Sequence, residues 1–125
     1  MKTIRNDTVI PIDVDDTLIL YPEDTLDPKL YRAEGYIKLK DITGETFYAK
    51  PSMKHIRLMK LYRKRGFTVI VWSGNGYEHA ESIVKQLKLS NYVDLVMCKP
   101  NRFIDDVDCS RWMGTRIYLE KGEKI

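Results

Sequence analysis

A chain of 125 residues suits one domain with a core of its own. With 43% hydrophobic and 31% charged residues, the composition excludes a disordered or fibrous chain. The formal net charge of +3 suits encounters with anionic substrates but is too small to argue for nucleic-acid binding by itself. No stretch approaches the roughly 20 apolar residues that span a bilayer. Residues 1–10 lack the apolar region of a secretory signal, so a cytoplasmic setting with no membrane partner is expected. On that ground Asn6-Asp7-Thr8 is a chance match to a glycosylation acceptor. Cys98 and Cys109 are too few for a disulfide framework and lack metal-ligand spacing.

In chain order, residues 9–14 form a short apolar run ending in acids, which reads as a buried strand. Pro11 sits awkwardly in it, because a central strand uses every backbone N–H. Pro22, Asp24 and Pro28 mark a loop. Residues 36–40 alternate, Thr43-Gly44 supplies a turn, and residues 46–49 return, so a β-hairpin is expected. The insert 21–50 is expected to act as a small flap beside the site.

Ser52 is placed to cap a helix whose apolar face holds Met53, Ile56, Met59, Leu61 and Tyr62. Lys60, Arg63, Lys64 and Arg65 suit its C-terminal end, and Gly66 is the expected stop. Residues 67–72 form a continuous apolar run, as in a strand covered on both faces. Tyr77, Ala80, Ile83, Val84 and Leu87 follow helical spacing. Residues 92–97, 102–104 and 116–119 read as further short strands. Strands alternating with helices predict an α/β domain with a mainly parallel sheet.

In such sheets, ligands bind beyond the carboxyl ends of the strands. The chemically useful residues fall at those ends: Asp13-Val14-Asp15-Asp16-Thr17, then Ser73-Gly74-Asn75-Gly76, then Lys99-Pro100, then Asp105-Asp106. Acids from two strand ends can hold one Mg2+, which prefers oxygen ligands. A lysine and Mg2+ offset the repulsion between a carboxylate nucleophile and a phosphate. A second carboxyl can protonate the leaving oxygen and later activate water.

These segments carry a resemblance. DVDDTL at 13–18 is similar to the first motif of the haloacid-dehalogenase-like (HAD) phosphatase superfamily, Asp-x-Asp-x-Thr after an apolar strand. VIVWSG at 69–74 resembles the second motif, Lys99 with Pro100 the third, and FIDD at 103–106 the fourth. All four stand in order and cover about residues 9–106. The 21–50 insert lies outside them. The resemblance implies a three-layer, Rossmann-like fold with a minimal cap over a single domain, 1–125. It implies a Mg2+-dependent phosphomonoester hydrolase working through an aspartyl-phosphate.

Carried over by position, Asp13 is the nucleophile and a metal ligand. Asp15 is the general acid/base and offers its backbone carbonyl to Mg2+. Thr17 steadies the first loop on the phosphate side. Ser73 and the Gly74 N–H hold phosphate oxygens, Lys99 pairs with nucleophile and phosphate, and Asp105 and Asp106 complete the metal site. The expected partner is a small phosphorylated substrate: a nucleotide, a nucleic-acid terminal phosphate or a sugar phosphate. A catalytically idle phosphate-binding module is the rival from another class.

Blander readings attach to other residues. His55 and His79 lie on predicted helices without a partner motif, which favours surface or core packing. Cys98 is expected to be a small buried residue, and Asp108 a turn or cap residue. Tyr21, Tyr31, Tyr36 and Tyr48 either pack the hairpin or offer a face to a substrate base.

Overall fold

A computed structural model of the chain describes residues 3–119. Two three-stranded sheets and two helices form a mixed α/β fold. The parallel sheet has the order β1 (Val9–Asp13), β5 (Thr68–Ser73), β6 (Leu95–Cys98). The antiparallel sheet has the order β2 (Ile19–Leu20), β4 (Thr46–Pro51), β3 (Ile37–Lys40). The helices are α1 (Met53–Lys64) and α2 (Tyr77–Gln86).

The parallel ladder fixes the site. β1 pairs with β5 from Val9↔Thr68 to Asp13↔Trp72, so both strands end at one rim. β6 joins on the other side of β5, ending at Ser73↔Cys98. β1 is therefore an edge strand, a place that tolerates the missing N–H of Pro11. In β5 only alternate residues are buried: Val69, Val71 and Ser73 are inside, while Ile70 and Trp72 are half-buried. The continuous apolar run thus has one fully covered face rather than two.

α1 packs on β5, and α2 packs on β5 and β6. Ile56 and Met59 of α1 and Ala80, Ile83 and Val84 of α2 turn inward at helical spacing. Met53 and Tyr77, assigned to those apolar faces, are exposed. α1 ends as expected. Gly66 has φ +92°, a left-handed conformation open to glycine, and Phe67 N–H donates to the Tyr62 carbonyl at 3.0 Å.

The hairpin forms with its turn at 41–45. The Asp41 carboxylate accepts from the N–H groups of Thr43 and Glu45, both at 2.9 Å, and Gly44 takes φ +89°. It is also anchored in the rest of the fold. β4 also pairs with β2, through Ile19↔Pro51 and Leu20↔Lys50. Leu39 and Ala49 belong to the same buried cluster as Val14, Leu18 and Val71. The Gln86 side chain closes two hydrogen bonds with the Lys40 backbone, at 2.9 and 2.8 Å. The two-residue β2 was too short to show a period, so the sequence hid the strand that ties the hairpin into the core.

Two expected strands do not form. Residues 102–104 are irregular, with Ile104 fully exposed and Phe103 packed edge-on against Trp112. A strand parallel to β6 needs a crossover of a dozen or more residues, and Lys99, Pro100 and Asn101 alone precede this segment. Residues 116–119 pair with no strand. Tyr118 and Leu119 are tied down by single bonds, from Tyr118 Oη to the Asp16 carbonyl at 3.1 Å and from Leu119 N–H to His55 Nε2 at 2.9 Å.

Candidate functional site

The chain leaves β1 at Asp13 and turns sharply. The N–H groups of Thr17, Leu18 and Ile19 all reach the Val14 carbonyl, at 3.2, 2.9 and 3.1 Å. Asp16 at the tip has φ +58°, a left-handed conformation that aspartate tolerates better than most residues. Val14 and Leu18 are buried beneath the turn, which leaves Asp13, Asp15, Asp16 and Thr17 on the rim. Thr17 Oγ1 lies 3.4 Å from Asp13 Oδ2, so the threonine braces the half-buried carboxylate.

Below this turn lies His55, which is buried. Nε2 accepts from Leu119 N–H, so Nδ1 is the protonated nitrogen of the neutral ring. Nδ1 lies 3.0 Å from both the Thr17 carbonyl and Ser52 Oγ. The Tyr118 ring packs on the imidazole at 4.9 Å. The packing expected of His55 is thus present, with a full set of partners. Ser52 does stand at the N-cap of α1, but its hydroxyl is turned to His55 rather than to the helix N–H groups.

Asp15 is the most connected residue of the rim. Oδ1 accepts from Tyr21 Oη at 2.5 Å and lies 3.0 Å from His79 Nε2. Oδ2 accepts from Asn75 Nδ2 at 2.6 Å. Partial burial pushes the carboxyl up, but the bonds from Tyr21, His79 and Asn75 outweigh it and hold Asp15 below its ordinary value. Tyr21 is pushed well above the usual phenol value, by burial first and then by its bond to Asp15 and that residue's charge.

Two of these partners, Asn75 and His79, escaped the sequence reading. Asn75 belongs to the Ser73-Gly74-Asn75-Gly76 strand end, but a role in holding Asp15 was not assigned to it. His79 had been read as a packing residue and is instead a neighbour of Asp15 across 64 positions. The available signal was its place in the first turn of the helix that follows a rim strand.

β5 delivers Ser73, which is fully buried. Its hydroxyl accepts from Asn75 N–H at 3.0 Å, which shapes the turn and leaves the hydroxyl proton for another acceptor. Gly74 is exposed, and a side chain there would meet nothing. Gly76, with φ +109°, starts α2 without a side-chain cap, so the first N–H groups of that helix keep their anion-attracting character. Lys99 N–H donates to the Ser73 carbonyl at 2.9 Å, and its side chain is exposed beyond β6.

The fourth segment is built differently. Asp105 and Asp106 are exposed, on irregular chain rather than at a strand end. The Val107 N–H, and then a hydrogen bond with Asp106, hold Asp105 below its ordinary value. Among the described residues, no three His, Cys, Asp or Glu side chains gather as a metal-binding group. Mg2+ is commonly held by one or two carboxylates with waters and substrate phosphate oxygens. The carboxylates that the rim itself offers to such an ion are those of Asp13, Asp15 and Asp16.

The remaining expectations concern smaller groups. Asp108 stands at the N-cap of the 3-10 turn Cys109–Arg111, as expected. Cys98 is exposed rather than buried, because β6 is an edge strand. Tyr31 packs against Tyr36 and Tyr48 at 5.8 and 5.1 Å, and Lys50 lies over Tyr36. Only Tyr21 of the four tyrosines bonds a rim carboxylate. A cleft of about 320 Å³ lined by Arg32 and residues 35–38 lies on the hairpin and includes no rim residue. No helix among the described residues is long and apolar enough to cross a membrane. Comparison with protein-family models, curated proteins and solved structures returned no match.

Proposed function

We propose that the chain is a Mg2+-dependent phosphomonoester hydrolase of the HAD-like type, with a Rossmann-like three-layer core and Asp13 as its nucleophile. One observation carries this reading. The parallel register of β1 with β5 brings Asp13, Asp15, Ser73 and Gly74 to a single rim, with Lys99 following on the neighbouring strand.

The chemistry follows from these groups. A carboxylate oxygen of Asp13 attacks phosphorus, the ester P–O bond breaks, and the leaving oxygen takes a proton from Asp15. Water, deprotonated by Asp15, then attacks phosphorus, and the P–O bond to Asp13 breaks to release phosphate. A carboxyl held below its ordinary value is ionised at neutral pH, the form the second step requires. A phosphate dianion beside it supplies a like charge, which raises its affinity for the proton used in the first step. The Gly74 N–H, the Ser73 hydroxyl, the Lys99 ammonium and the start of α2 receive the phosphate oxygens. When bound, Mg2+ supplies positive charge that offsets the repulsion between Asp13 and the phosphate.

The favoured substrate class is a nucleotide or a nucleic-acid terminal phosphate. Tyr21, 38% exposed and bonded to Asp15, offers an aromatic face to such a substrate. Base stacking on such a face contributes about 1–3 kcal/mol.

The test is phosphate release from a panel of nucleoside monophosphates, short 3′- or 5′-phosphorylated oligonucleotides, sugar phosphates and an aryl phosphate, with and without Mg2+. Turnover that requires Mg2+ and favours nucleotides over sugar phosphates is expected. No release from any substrate would leave the idle phosphate-binding module as the better reading.

A further inference from the structure

We infer that His79 is a positioning residue that aims the Asp15 carboxyl at the leaving oxygen. The inference rests on the phosphomonoesterase reading and adds a residue to its site.

Three side chains from three parts of the chain hold Asp15: Tyr21 after β2, Asn75 after β5 and His79 on α2. They are not equivalent. Asn75 is exposed on a loop, and Tyr21 is 38% exposed. The His79 side chain is only 12% exposed, and the residue after it, Ala80, is completely buried. His79 is thus the partner fixed to a packed helix, and it shares Oδ1 with Tyr21 while Asn75 holds Oδ2. Of the three donors that hold the carboxyl plane, His79 alone comes from a helix. Either the neutral Nε2–H ring or the imidazolium can donate this bond.

Removing the helix-borne donor leaves Asp15 two partners on more exposed ground. A proton donor must lie within hydrogen-bond reach of the atom it serves. A misplacement of about 1 Å costs on the order of 10²-fold in rate. In the first step that loss falls on substrates that need the proton, whereas the second step is common to both. An alkyl phosphate expels a strongly basic oxygen, whereas p-nitrophenyl phosphate expels a stable phenolate. Binding of the phosphate by the Gly74 N–H, Ser73 and Lys99 does not pass through His79.

The experiment compares β-glycerol phosphate and p-nitrophenyl phosphate on the full chain with Mg2+. His79→Leu is expected to lower kcat/KM, which reports the first step alone, for the alkyl ester by about 10²-fold. It should lower kcat/KM for the aryl ester by less than about 3-fold. His79→Gln, whose amide nitrogen reaches as far as Nε2, should recover most of the alkyl rate. His79→Asn, which is too short, should not. Circular dichroism and thermal melting check that each variant is folded. An equal loss of kcat/KM on both substrates, or recovery by His79→Asn as full as by His79→Gln, overturns the inference alone. A wild-type chain inactive on both overturns the phosphomonoesterase reading and the inference with it.

Discussion

The rim at the ends of β1 and β5 and the segment from Lys99 to Asp108 carry similar chemistry and are built very differently. At the rim a five-residue parallel register fixes where Asp13 falls, a buried histidine supports the turn from below, and three donors clamp Asp15. In the second region the acids sit on irregular chain, exposed, after a link too short for a parallel crossover. Acidic residues become a site when a ladder and a packed helix decide where they point. Sequence order alone does not supply that.

The comparison can be broken from the rim side first. Asp13→Asn keeps the shape of the side chain but removes the proposed nucleophile. Phosphate release should fall by about 10³-fold or more, with the melting temperature little changed. Near-normal steady-state release would remove Asp13 from the chemistry.

The second region is tested by its effect on the metal. Chelation should abolish turnover, and Mg2+ should restore it. The double variant Asp105→Asn/Asp106→Asn should leave thermal stability unchanged, since both residues are exposed. It should raise the Mg2+ needed for half-maximal rate by about 10-fold or more, a loss of the 10–100-fold kind that accompanies altered metal-site support. An unchanged Mg2+ requirement would show that Asp105 and Asp106 stay outside the working site.

Supports of the rim give intermediate effects. Leu39 is 2% exposed in the common core, so Leu39→Ala should cost about 2–5 kcal/mol in denaturant unfolding. A loss below about 1 kcal/mol would restore the hairpin to the status of a flap. His55→Ala leaves the Leu119 N–H and the Thr17 carbonyl without their partner, at about 1–3 kcal/mol.

The smallest effect is acid sensitivity. Asp15 lies below its unfolded value of 3.8. The stability it contributes is therefore present above that value and lost as pH falls through the lower folded value. Asp15→Asn should lack this part of the decline in the unfolding midpoint as pH falls below 3.8. Identical pH profiles would mean that the three donors do not favour the ionised form.

What the sequence revealed follows the same division. β1, α1, β5 and α2 were legible because apolar periodicity and the Gly66 stop are local signals, and the strand ends named the rim residues. The hairpin was legible, but its attachment was not, since β2 has two residues and Leu39 meets the core through the fold. The partners of Asp15 were hidden for a related reason. His79 reaches it only because of the phase at which α2 leaves the rim, and Tyr21 looked like a stacking face rather than a hydroxyl donor. The strands expected at 102–104 and 116–119 failed because short apolar runs say nothing about whether a neighbouring edge is within reach.

The central claim is that phosphate passes through Asp13. Rapid mixing with substrate and Mg2+, followed by borohydride, reduces an acyl phosphate to an alcohol and converts the aspartate that carried it to homoserine. Peptide mass spectrometry should find homoserine at position 13 and nowhere else, and only when substrate is present. Wild-type turnover with an unmodified Asp13, or homoserine at another aspartate, would contradict the account.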